Sequence, residues 1–179
     1  MGTNSAEAWI AAATAELRRN NSWTGRIHIH KHLYLAQELG LADPPFEFVL
    51  YQYGPYSYDI DTEIAQMELY GYLQKSFPLD GYGPSYSVSA IGSEEAAQLD
   101  KGSAKALARV ATAIGDADSQ TLELRATCLW VERQEGLLED KLIVNRVQKL
   151  KPKYTVERVA GELTAVRKLS KELETPQSA

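Results

Sequence analysis

His28, His30 and His32 stand in a His-x-His-x-His run, and on a strand three such imidazoles would share a face and could ligate a metal. The apolar residues around them, Ile29, Leu33 and Ala36, recur at helical spacing instead. On a helix only His28 and His32 share a face, and His30 points away. No nearby cysteine or carboxylate completes a tetrahedral set, so packed or solvated helical histidines are expected, and no metal. Cys128 lies beside Leu129 and Trp130 in an apolar helix with no sign of a positioned base, so it reads as core rather than nucleophile. Asp59, Asp61 and Glu63 could suggest a cation site. Carboxylates two apart do not face each other on a helix, however, and favourable placement near a helix N-terminus explains them. No calcium-loop or phosphate-loop spacing is present. No catalytic grouping and no cofactor is therefore expected. An enzyme built on His28 or His32 would need a cleft joining them to Asp59.

The residues best suited to contact another molecule are aromatic. Four of the ten tyrosines, Tyr51, Tyr53, Tyr56 and Tyr58, lie within residues 48–59, around Gly54-Pro55. Two readings stay open. The rings pack and find hydroxyl partners, or they form a protein interface, where tyrosine is enriched.

The elements that must position these residues follow from periodicity and punctuation. Ser5 is an N-cap candidate for a helix over 6–19. A second helix over 26–39 ends at Gly40, with Asp43-Pro44-Pro45 forbidding continuation. Residues 46–53 read as one extended strand that Gly54-Pro55 stops. A third helix over 58–72 begins with Asp59 and Asp61 and closes at Gly71. Residues 73–77 and 86–90 flank a turn-rich loop and predict a hairpin, after which Ser93 is expected to cap another helix. Helices are then predicted over 103–115, 119–134, 138–150 and 155–174, with Pro152 breaking the third of these from the last. Residues 175–179 read as a frayed tail.

This order predicts a mainly α fold with minor β structure: a winged-helix-like N-terminal core over 1–98 with a β-hairpin wing, and a C-terminal helical extension over 99–179 packed on it.

Charge argues against one class of partner. The chain carries a net −5. Residues 1–95 hold five Lys/Arg against twelve Asp/Glu, a net −7, and residues 96–179 hold fourteen against twelve. A DNA reader neutralises phosphates with clustered Lys and Arg. The helix in the recognition position has neither, and its carboxylates would repel a phosphate backbone. Nucleic acid is therefore an unfavoured partner. One cysteine permits no intrachain disulfide, which fits a reducing cytoplasm. The first residues show no signal-peptide pattern, and the apolar runs fall short of a membrane span.

His32-Leu33-Tyr34-Leu35-Ala36-Gln37, followed by Tyr51-Gln52-Tyr53-Gly54-Pro55-Tyr56, resembles the Panacea (SocA-like) domain family and its YwgA-like relatives. Leu150-Lys151-Pro152-Lys153-Tyr154 also looks like the YwgA-like group, where a Lys-Pro phrase precedes a final helix. The resemblance covers residues 26–75 well and the remainder loosely. It implies an antitoxin or adaptor that works by protein contact, with no catalytic residues to carry over. The expected function is a non-catalytic protein-binding module. Its partner-binding residues would be Tyr51, Tyr53, Tyr56, Tyr58, Asp59, Asp61 and Glu63, and a basic toxin would suit the acidic half. The alternative is a winged-helix transcriptional regulator that binds DNA, with Lys75 the one basic residue near its wing.

Overall fold

A computed structural model describes residues 4–175. The readings of the first three residues and of the tail beyond Thr175 fall outside that range. Within it the fold is mainly helical, with two small antiparallel hairpins. The helices are α1 (Ala6–Arg19), α2 (Arg26–Glu38), α3 (Tyr58–Leu69), α4 (Ala90–Ala96), α5 (Lys101–Ile114), α6 (Ser119–Arg133), α7 (Asp140–Leu150) and α8 (Val156–Glu174). The strands are β1 (Val49–Tyr51), β2 (Gly54–Tyr56), β3 (Leu73–Ser76) and β4 (Ser85–Val88).

Several boundaries follow from capping. The Ser5 hydroxyl accepts from Ala8 N–H, and the Asp100, Asp118 and Thr155 side chains do the same for α5, α6 and α8. Ser93 does not cap α4. Ser89 does, accepting from Gly92 N–H, because the chain must turn as soon as β4 ends. Gly92 then lies against the Tyr72 carbonyl, where a Cβ would sit 2.2 Å from that oxygen.

The expected strand over 46–53 is a larger departure. Only Val49–Tyr51 is a strand, and Gly54-Pro55 does not end the extended structure but forms the returning strand. Val49 pairs with Tyr56, Leu50 with Pro55 and Tyr51 with Gly54. Gly54 has φ +83°, the left-handed residue that commonly follows a type I turn in a short hairpin. Pro55 fits there because the pair has no third strand to need its missing N–H.

One hydrophobic core runs through the described residues. It joins Trp9, Ile10 and Leu17 of α1 and Ile29 and Leu33 of α2 to Leu107 and Val110 of α5, Leu129 of α6 and Val166 of α8. At its centre α2 touches α1, α5, α6 and β2, and every residue from His28 to Ala36 is buried. A helix apolar on one face only would not sit there, and α2 places the hydrogen-bonded His28, His30, Lys31 and His32 on its other faces.

Candidate functional site

Those polar groups account for the histidine run. His28 Nε2 donates to the Ala117 carbonyl ahead of α6, 2.9 Å away. His32 Nε2 donates to the Leu107 carbonyl of α5 at 2.8 Å. His30 turns the other way, as its helical position requires, with ring nitrogens 2.8 Å from the Arg26 carbonyl and 3.1 Å from the Ser57 carbonyl at the start of α3. All three are buried, and burial lowers their pKa values, that of His32 to about 4. Each imidazole thus links α2 to another segment. Among the described residues no three His, Cys, Asp or Glu side chains are grouped to hold a metal. The cleft lined by His28 has Asp116 and Asp118 on its wall rather than Asp59. Cys128 is buried, and desolvation pushes its thiol up to about 12.

The tyrosine hairpin is built against this framework. A Cβ on Gly54 would come within 2.9 Å of Thr127 Oγ1 and 3.3 Å of the Glu123 carbonyl, so β2 lies directly on α6. Beneath the turn is a cluster of buried charge that the sequence reading missed. Lys31, only 2% exposed, donates from Nζ to the Pro55 carbonyl at 2.7 Å. Lys151, buried just past α7, donates to the carbonyls of Tyr51 and Gln52 and lies 3.1 Å from Glu123 Oε1. That last contact is ionic rather than a well-directed hydrogen bond, since Oε1 has no partner at hydrogen-bonding angles. Glu123 Oε2 accepts from Lys153 Nζ at 3.0 Å and from the Tyr154 hydroxyl at 2.9 Å.

One buried carboxylate therefore pairs with two lysines, Lys151 and Lys153, and the electrostatics follow. Burial lowers Lys31 to about 7, with Lys151 pushing the same way and Glu123 opposing. Burial also lowers Lys151. The two amines satisfy three turn carbonyls that a short hairpin would otherwise leave to water. Lys31 had a sequence signal: it stands between His30 and His32 in a helix with little room for an exposed face. Glu123 had one too, between Leu122 and Leu124 in a helix too apolar to be exposed on every side.

The hairpin holds its rings outward. Tyr51 and Tyr58 are 53% and 61% exposed, and Tyr56 is half-buried. Their ring centroids are 5.4 Å apart for Tyr51 and Tyr56, 5.0 Å for Tyr56 and Tyr58, and 6.4 Å for Tyr51 and Tyr58. The inner face of this trio is fixed, because Tyr56 stacks on His30 at 4.7 Å with the planes 8° apart. Tyr53, at the turn, lies 5.7 Å from the Lys153 ammonium.

The acidic residues disperse from there. Asp59 is exposed beside Tyr58. Asp61 is paired with Arg26, so more than the helix dipole explains it. Glu63 lies away from the rings, in a cleft with Glu7, Gln66 and Tyr70, and burial and Glu7 raise its pKa. The structure thus gathers Tyr51, Tyr56 and Tyr58, with Asp61 against Tyr56 as well as Arg26, and leaves Tyr53 and Glu63 on the margins.

No family model matches the chain, and no curated protein matches it. No helix among the described residues is long and apolar enough to cross a membrane.

Proposed function

We propose that this chain is a non-catalytic protein-binding module, an antitoxin-like or adaptor protein, that holds its partner on the tyrosine hairpin and the start of α3. The observation that carries the reading is the cluster of exposed Tyr51 and Tyr58 around half-buried Tyr56, on a backbone fixed from below. Tyrosine supplies large contact area for little lost side-chain freedom, and a pre-ordered surface lowers the entropic cost of association. Exposed Asp59 and the acidic N-terminal half suit a basic partner. The resemblance of the Tyr-Gly-Pro segment to Panacea domains supports the same reading. The charges of α3 disfavour DNA, and Lys75 on β3 is tied to Glu68 at 3.1 Å.

The test is co-expression with the product of each adjacent gene, reading growth rescue and co-purification. Tyr58→Ala should abolish both without lowering the melting temperature. Retention of a partner by Tyr51→Ala/Tyr58→Ala would reject this site, and the absence of any toxic or retained neighbour would reject the antitoxin reading.

A further inference from the structure

Tyr34 and Gln37 belong to the Leu-Tyr-Leu-Ala-Gln segment of α2, and neither is used by the tyrosine hairpin. Three apart, they share a helical face. That face forms one wall of a cleft of about 530 Å³ between α2, the segment leading into β1, and α6. Phe48 and Trp130 supply its aromatic walls, with ring centroids 5.3 Å and 6.2 Å from that of Tyr34. Glu38 and Glu47 also line it.

Two buried polar atoms here have no hydrogen-bond partner among the described residues, the Tyr34 hydroxyl and Gln37 Oε1. Tyr34 is only 1% exposed. An unbonded buried hydroxyl and carbonyl on one cleft are costly unless a ligand or water answers them. The charges at the rim point the same way. Gln134 donates to the Glu38 carboxylate without neutralising it, and among the described residues Glu47 forms no ion pair. Arg133 is nearby, but its guanidinium is committed to the Glu38 carbonyl and the Glu174 carboxylate.

We infer that this cleft binds a guanidinium group. Most of its free polar groups are acceptors, two are carboxylates, and aromatic faces flank them. A guanidinium is planar, carries five N–H donors and stacks on aromatic rings, so it matches this set better than a compact ammonium does. Binding requires the half-buried Phe48 ring to swing aside so that the ligand's N–H groups reach the buried Tyr34 and Gln37 oxygens. The larger cleft beside Trp23 and Tyr82 carries no such preference, because Arg26 and Asp118 both line it.

The test is calorimetric titration of the full chain with butylguanidinium, butylammonium and butanol, and with a capped alanine peptide carrying one central arginine. Butylguanidinium should bind saturably, more tightly than butylammonium, and more weakly as salt rises, while butanol should not bind. Glu47→Gln and Tyr34→Phe should each weaken binding by roughly threefold to tenfold, the size of one polar or ionic contact. Neither should lower the melting temperature, since one residue is exposed and the other loses only an unbonded hydroxyl. Tighter binding of the peptide than of butylguanidinium makes the natural ligand an arginine side chain, and equal binding makes it a small guanidino compound. Butanol binding as tightly as butylguanidinium, no binding of either guanidinium probe, or unchanged binding by both variants would overturn the inference. Because the cleft is not the tyrosine cluster, Tyr58→Ala should leave guanidinium binding intact.

Discussion

The molecule contains two hairpins of similar size held in different ways. The β1–β2 hairpin has three-residue strands and a tight turn, yet Lys31 and Lys151 hold its carbonyls and Tyr56 is stacked on His30. The β3–β4 hairpin has four-residue strands, and β4 is tied where it leaves the loop by a single residue, Thr24, whose hydroxyl bonds Ser85 Oγ and the Tyr86 carbonyl. Its long loop is open, with Phe77, Leu79 and Tyr82 exposed. Strand length does not decide how firmly a surface is presented here. Buried side chains reaching up from the core to the backbone of the turn decide it.

The largest effect should come from the buried carboxylate. Glu123→Ala leaves Lys151 without its counter-charge and should cost about 3–5 kcal/mol in urea unfolding, whereas Glu68→Ala at β3 should cost about 0–1 kcal/mol. Equal costs would show that the two hairpins are held alike.

Acid should come next. His32 titrates at about 4 in the fold and near 6.5 when unfolded, so between those values the unfolded chain binds more protons. Stability is fully present above that window and should fall as pH drops through it, by up to about 3 kcal/mol from His32 alone. His28 and His30 shift in the same direction and add to the fall. The β3–β4 hairpin contains no histidine. Urea titrations across the window measure this, and His32→Gln should flatten the dependence.

Glycine substitutions separate the hairpins on a smaller scale. Gly54 and Gly81 both have positive φ, but only Gly54 has neighbours where a Cβ would go. Gly81→Ala should cost about 1 kcal/mol, and Gly54→Ala should cost about 2–4 kcal/mol because the chain must also move off α6. Similar melting temperatures for the two variants would mean that β2 does not bear on α6.

The sequence made the helices legible because caps and periodicity are local. Ser5 points directly to the start of α1, Gly40 with Pro44-Pro45 to the end of α2, and Pro152 to the break between α7 and α8. The tyrosine hairpin was misread because Gly54-Pro55 is equally the signal for a stop and for a turn. What selects the turn is contact with Thr127 and Glu123, some seventy residues away in sequence. The choice between Ser89 and Ser93 as a cap depended in the same way on the close approach of Gly92 to Tyr72. The grouping of Tyr51, Tyr56 and Tyr58 was foreseeable from their clustering in sequence. Of the lysines below them Lys31 had only the signal of its place between His30 and His32, and Lys151 had none, because a lysine normally reads as solvated and only the hairpin carbonyls, with Glu123 for Lys151, give them partners.

The most direct test of the central claim compares the two hairpins as binding surfaces. Binding of the adjacent gene's product would be measured for Tyr51→Ala/Tyr58→Ala and for Phe77→Ala/Tyr82→Ala, both made at exposed rings. The tyrosine-hairpin variant should lose at least about a hundredfold in affinity, as expected when two aromatic anchors are removed, and the β3–β4 variant should bind like the parent. Loss of binding in the second variant with retention in the first would contradict the account.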